Sequence, residues 1–216
     1  MSQQFPAMFV GDSRGLDFLN SVATPVDVPI DWIDDGEGLL AWLEQAQLVP
    51  AQVLAAMRNR AMPGELDRLA AQARSLREWF RSFVREHQGG PLEAADLGAL
   101  APLNLLLARD EGFSKIVLHG TGATTVLNLE RSRRWTSPES LLLPIGEILA
   151  QLVCEENFAH VKACEGPTCT LLFADHTRGH GRRWCSMAAC GNRAKQAAHR
   201  SRVKAHDAAV VRRGRT

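Results

Sequence analysis

Between residues 63 and 87, Leu66, Leu69, Ala73, Leu76, Phe80 and Phe83 recur at steps of three or four. That is the repeat of one helix with a single face turned towards a core. Gly89-Gly90 ends it, and 91–108 reads as its antiparallel neighbour. Shorter helical patterns precede it. "GLDFLNSVA" puts Leu16, Leu19 and Val22 on one face, with Asp12 or Ser13 as N-cap. "DGEGLLAWLEQAQLV" resumes with Leu39, Leu40, Trp42 and Leu43, and Pro50 opens a third helix that runs through Met57. The period then changes from helical to alternating. "KIVLHGTGATTVLNLE" places two alternating runs around a glycine-rich turn, which predicts a β-hairpin over 115–129. Ser137-Pro138 starts a further helix, with Ile145, Ile148, Leu149, Leu152 and Val153 facing the core and Pro144 delaying or kinking its start.

These elements predict a mainly α protein with a small β-hairpin. A helical amino-terminal domain occupies 1–145, a connecting helix 146–159, and a distinct carboxy-terminal module 160–216, with "RSRRWTSPES" as the linker candidate. The 216 residues, 45% hydrophobic, suffice for a real core. No run reaches the roughly 18 uncharged apolar residues that span a membrane, and the start of the chain lacks an export signal. The expectation is a cytoplasmic protein that does not enter a membrane. Arginine (21) far outnumbers lysine (4), which suggests a GC-rich bacterial genome.

Net charge +1 conceals an asymmetry. Residues 1–175 hold 14 Lys+Arg against 23 Asp+Glu, net −9, whereas 176–216 hold 11 against 1, net +10. Such a tail meets a polyanion or docks on the acidic body of its own chain.

Four of the five cysteines form two pairs, Cys164-x4-Cys169 and Cys185-x4-Cys190. Two short loops that each supply two thiolates, separated by a longer gap, suit one tetrahedral zinc. An iron–sulfur cluster on the same residues stays open, although its usual two-residue spacings are absent. The spacing also argues against a redox pair, and a reducing cytosol argues against disulfides. "CEGPTC" caps a hairpin tip. Five helical steps of 100° would set Cys185 and Cys190 about 140° apart, so the expected helix begins after Cys190, with Asn192 as its N-cap and Arg193 to about Val211 as its body. The resulting plan is treble-clef-like. Cys154 is expected to be a small buried hydrophobe, and His176 and His180 to be loop residues rather than ligands.

In the helix after Cys190, Ala194, Ala198, Ser201 and Ala205 make a small-residue stripe suited to lie against the metal module. Arg193, Lys195, Arg200, Arg202 and Lys204, together with Arg182 and Arg183 upstream, form the candidate nucleic-acid-binding set. Arg193 and Lys195 oppose the helix dipole and require a partner, either a phosphate or an internal acceptor.

"WCSMAACGNRAK" with the upstream "CEGPTC" resembles the CGNR-type zinc finger, a bacterial family named for the tetrapeptide that stands here as Cys190-Gly191-Asn192-Arg193. "GLDFLNSVA", "LLAWL" and the long helices after them are similar to the ABATE domain that accompanies this finger, a family described as stress-induced transcription regulators. The likeness covers about residues 12–145 and 160–205. It implies one structural zinc on Cys164, Cys169, Cys185 and Cys190, and a DNA-binding role for the carboxy-terminal module. The histidine-containing gap "DHTRGHGRR" departs from the family pattern.

No pattern suggests catalysis. "HGTGATT" lacks the following helix that a phosphate loop needs, and no Ser/His/Asp order is present, so the chain is not expected to be an enzyme. Asp17 and Asn20 share a helix face and are candidates to line a small-molecule pocket. Trp32, Trp42, Trp79 and Phe80 are expected in the core. The resulting expectation is a zinc-containing, DNA-binding transcriptional regulator whose acidic domain senses a small effector or forms a homodimer. The rivals are a ligand-sensing or protein-interaction module whose basic helix docks on an acidic surface, and a small-molecule enzyme in the helical domain.

Overall fold

The computed structural model describes residues 6–24, 28–120 and 125–213, with side chains as far as Val203. Its centre is α1 (Arg14–Leu19), a short helix that buries Leu16, Phe18 and Leu19. It packs on α4 (Glu65–His87) and α6 (Leu142–Glu155). Gly15 makes the crossing with α6 feasible, because a Cβ there would lie 2.8 Å from both the Ile148 carbonyl oxygen and Leu152 Cβ.

Val22, expected on the helix face, instead lies in β1 (Val22–Ala23), which pairs antiparallel with β2 (Ile30–Asp31). The cause is a pair of buried arginines on α4. Arg81 takes the Leu19 carbonyl at the end of α1. Arg77 donates to Ser21 Oγ at 3.0 Å and grips Asp31 through both oxygens, at 2.8 and 2.7 Å. The last carbonyl of α1, that of Leu19, is thus satisfied by a side chain, while Phe18 O accepts from Ser21 N at 3.1 Å, so no further helical turn is needed. Burial works against charge on Asp31, but the Arg77 guanidinium outweighs it and holds the carboxyl below its usual range.

α2 (Gly36–Gln45) begins at Asp35, whose side chain accepts from Gly38 N at 2.7 Å, and α3 (Ala51–Arg60) follows Pro50. α4 buries Leu69, Ala73, Phe80 and Phe83 as the periodicity predicts. Residues 91–108 depart from expectation. They form a 3-10 turn (Ala94–Leu100) with a Glu93/Asp96 capping box, then α5 (Ala101–Leu107). α5 packs on α6, where Gly146 leaves room for Leu106.

The hairpin is longer than predicted. β3 (Gly112–His119) and β4 (Val126–Arg133) pair from Gly112↔Arg133 to His119↔Val126. The proposed turn at 121–124 lies outside the described residues. The first part of the linker candidate belongs to β4, and it is tied down: Arg133 bonds Asp110 at 2.7 Å and Glu147 at 2.9 Å. Charged runs read as linkers only when their partners, distant in sequence, are out of view.

A 3-10 turn (Pro138–Leu141) leads into α6. Pro144 sits in the first turn of α6, where a missing N–H costs no helical bond. Ile145, Ile148, Leu149 and Leu152 are buried, so α6 is a wall of the helical body as well as the route to the next module. Cys154, expected to be buried, is exposed. It stands two residues from Leu152, about 200° around the helix from the core face. Trp42 and Phe80 are fully buried and Trp32 nearly so, which places them in the core.

A short antiparallel pair follows, β5 (Val161–Ala163) with β6 (Leu172–Ala174), and β6 packs on α1. The chain ends in α7 (Asn192–Arg213). Among the described residues, no helix is long and apolar enough to cross a membrane.

Candidate metal centre

Cys164 and Cys169 flank the tip of the β5–β6 hairpin, where Cys164 N donates to Leu171 O at 2.9 Å and Cys169 N to Gly166 O at 3.1 Å. Gly166 leaves space for the sulfurs: a Cβ there would lie 3.1 Å from Cys190 Sγ. The second pair corrects the sequence expectation. Helical structure begins before Cys190, as a π turn over Met187–Gly191. Gly191 N reaches back five residues to Ser186 O at 3.0 Å. Cys185 stands before this turn, joined to it through the extended N-cap Ser186, so the angular spacing of helical residues does not splay the pair. Cys185 Sγ and Cys190 Sγ lie 3.6 Å apart.

Cys169 Sγ is 3.8 Å from Cys185 Sγ, and all four sulfurs fall within 4.8 Å of one another. Four thiolates at about 2.3 Å from a tetrahedral zinc stand about 3.8 Å apart, so the arrangement fits the ion. Cys164, Cys185 and Cys190 are buried. Four protein ligands leave no open position for water, so this is a structural zinc site. The histidines of the gap stand apart from it. His176 Nε2 pairs with Glu156 at 2.9 Å, and His180 stacks on His160 with ring centroids 3.5 Å apart.

Donors surround the sulfurs. Cys185 N approaches Cys164 Sγ at 3.3 Å, Gly166 N the same sulfur at 3.5 Å, and Arg193 Nη2 approaches Cys190 Sγ at 3.3 Å. Without metal, the thiols titrate against each other. The hydrogen bond from Cys185 brings Cys169 down to about 5. Cys185, which makes that bond and is buried beside other thiols, is pushed up, and burial also raises Cys190. Bound zinc would be held by all four as thiolates, with release of their protons.

A tetrathiolate zinc carries a net charge of about −2, and it sits at the start of α7, where the helix dipole favours negative charge. The same charge supplies a partner for Arg193, the cation in the first turn. Replacing Arg193 with alanine should weaken zinc retention roughly 10- to 100-fold, the usual range for loss of a group that supports a metal ligand. Competition with a chromophoric chelator measures this, and unchanged retention would refute the role.

Arg182 also turns inward. Its Nε donates to Trp184 O at 2.9 Å, its other nitrogens reach Val10 O, Asp12 and Cys185 O, and its guanidinium lies 4.3 Å over the Phe173 ring. It thereby ties the amino-terminal segment, β6 and the second knuckle together. Arg183 is exposed and paired with Glu165 at 2.6 Å. Lys195, Arg200 and Arg202 are exposed along α7, and the side chain of Lys204 lies outside the described residues. Ala198 and Ser201 are exposed too. The described part of the small-residue stripe therefore does not pack on the module beyond the half-buried Ala194, because α7 leaves the body after its first turn.

Sequence reasoning missed Asp175, which organises the gap. This buried carboxylate accepts from Lys162 Nζ at 2.7 Å, Thr177 Oγ1 at 2.6 Å and Arg182 N at 2.9 Å. Burial opposes its charge, yet Lys162 and Thr177 hold it well below the usual carboxylate range. The Asp-x-Thr turn signature was the available clue.

Asp17 and Asn20 are engaged internally. Asp17 accepts from Gly11 N at 2.8 Å, and burial lifts its carboxyl to about 6. The fully buried Asn20 pairs like a strand with Leu172: Nδ2 donates to Leu172 O at 2.8 Å, and Leu172 N donates to Oδ1 at 2.9 Å. One amide thus fastens α1 to the zinc module.

The model of the ABATE domain, described as a putative stress-induced transcription regulator, matches residues 12–156, which takes in α6. The model of the CGNR zinc finger matches residues 160–203, and neither is an enzyme family. No curated protein matches the chain. With the first match spanning the helical body and the second enclosing all four ligands, the chain belongs to the ABATE family of regulators and carries a CGNR zinc finger behind that domain.

Proposed function

We propose that the chain is a DNA-binding transcriptional regulator in which zinc fixes the start of α7 and α7 lies along the phosphate backbone. One observation carries this reading: Lys195, Arg200 and Arg202 stand exposed on a helix that projects from the body. Among the described residues they form no ion pair. The rival in which this helix docks on the chain's own acidic surface loses support, because residues 195–203 are exposed throughout. Arg182 and Arg193 serve the module internally, so the described part of the nucleic-acid set is Lys195, Arg200 and Arg202, joined by Arg183 at the rim, and Lys204 stays in the proposed set.

The test is the salt dependence of duplex DNA affinity. Each phosphate contact contributes about 0.9 to the slope of log K against log salt. The triple variant Lys195→Ala, Arg200→Ala, Arg202→Ala should flatten that slope by about 2 to 3 while keeping its zinc. Failure of the unaltered protein to bind duplex at low salt would sink the reading.

A small-molecule effector is a second proposal, favoured by an open cleft of about 570 Å³ lined by Phe9, Val10, Asp12, Arg182, Trp184 and Met187. Its size falls in the range of ligand sites. It joins the amino-terminal segment to the knuckle that starts α7, a place from which occupancy can bias the helix.

A further inference from the structure

The β3–β4 ribbon has a chemistry that neither the zinc site nor the basic helix uses. Register pairs Ile116 with Leu129 and Leu118 with Leu127. Residues two apart on a strand, and their cross-strand partners, point the same way, so all four share one face. They are 71%, 74%, 69% and 71% exposed respectively. The sheet holds only these two strands. A two-stranded ribbon alone in water is marginal, and a contiguous exposed apolar face of this kind marks an interaction surface. The ribbon is nonetheless firmly mounted, since Arg133 at its root is bonded to both Asp110 and Glu147.

We propose that this face is where two copies of the chain meet, with the four aliphatic side chains of one copy stacked on the same four of the other about a twofold axis. Three features select a second copy. The face is self-complementary: an aliphatic residue stands at each corner, so half a turn returns like onto like. The cations that follow on this face, Arg131 and Arg133, stand at its root beside Asp110, so the apolar end offers no charge that would select a partner of opposite sign. Its area is also suitable, because all four residues are more than two-thirds exposed and together make up a large part of the roughly 800 Å² per partner that a stable interface buries. The strand edges beside them supply the remainder. The pairing is independent of the nucleic-acid reading, although a dimer would present two α7 helices together.

Sedimentation velocity on the zinc-loaded full chain tests the proposal. The expected result is a dimer that dissociates on dilution. Leu118→Lys with Leu127→Lys brings like charges face to face and should weaken association by at least about 100-fold, with zinc content and far-ultraviolet circular dichroism unchanged. If that variant does not fold, the milder pair Leu118→Ser with Leu127→Ser takes its place and should weaken association by at least about 10-fold. A monomer at all accessible concentrations, which would assign the face to a different partner, overturns the proposal. So does a dimer that neither substituted pair weakens.

Discussion

Cys185→Ser will yield a protein without zinc whose α7 is no longer held to the body. Cys185 is the hub of the cluster, with Cys190 Sγ at 3.6 Å and Cys169 Sγ at 3.8 Å, and its backbone N–H also supports Cys164 Sγ at 3.3 Å. Structural zinc in four-ligand modules binds with on the order of 10–16 kcal/mol at neutral pH. That rivals the whole stability of a domain, about 5–15 kcal/mol. The effect will not stay local, because the sulfurs belong to the same continuous core as Leu172, Phe173 and the α1 side chains. Elemental analysis should fall from about one zinc per chain to almost none, and hydrogen exchange should accelerate across 185–203. The helical body keeps its own core of α1, α2, α4 and α6, so far-ultraviolet circular dichroism should retain most of its signal. An unchanged melting temperature in the zinc-free variant would show that the metal does not hold this module.

Asn20→Ala should be strongly destabilising. It removes two buried hydrogen bonds of 2.8 and 2.9 Å and leaves both Leu172 backbone groups without partners in a dry setting. Each orphaned group costs about 1–3 kcal/mol, which for the two gives a loss of about 2–6 kcal/mol. For a chain of this size the melting temperature should drop by roughly 5–15 °C. Asn20→Asp is the informative companion. Its carboxylate can still accept from Leu172 N but faces the Leu172 carbonyl with like polarity, so it should be severe at neutral pH and milder in acid, where a protonated carboxyl donates again. Urea titrations at both pH values measure this, and equal stability of Asn20→Ala and the unaltered protein would remove Asn20 as the fastener.

The elements set by local physics were legible. The three-and-four step of α4, the alternation of the hairpin and the Ser137-Pro138 start of a helix each need only neighbouring residues. So was the metal site, because two short-spaced cysteine pairs separated by a longer gap suit one tetrahedral ion. The errors share one cause. Val22 looked helical because Arg77 and Arg81, some sixty residues on, end α1. The run from Arg131 looked like a linker because Asp110 and Glu147, which anchor Arg133, lie on other elements. Cys154 looked buried because a short apolar stretch does not reveal which side of a helix faces the core.

Within the zinc module the same division holds. Arg182 and Arg183 are adjacent and indistinguishable in sequence, yet one is clamped among Val10, Asp12 and Cys185 while the other lies exposed against Glu165. The sequence by itself determined which residues could bind zinc, that a basic helix follows them, and where most helices lie, since these depend on residue type and short-range period. Only the tertiary structure decided that a five-residue turn closes the second knuckle, that Arg193 faces a sulfur, and that Asn20 joins the two modules. A hydrogen bond between residues 152 positions apart leaves no periodic trace in the chain that forms it.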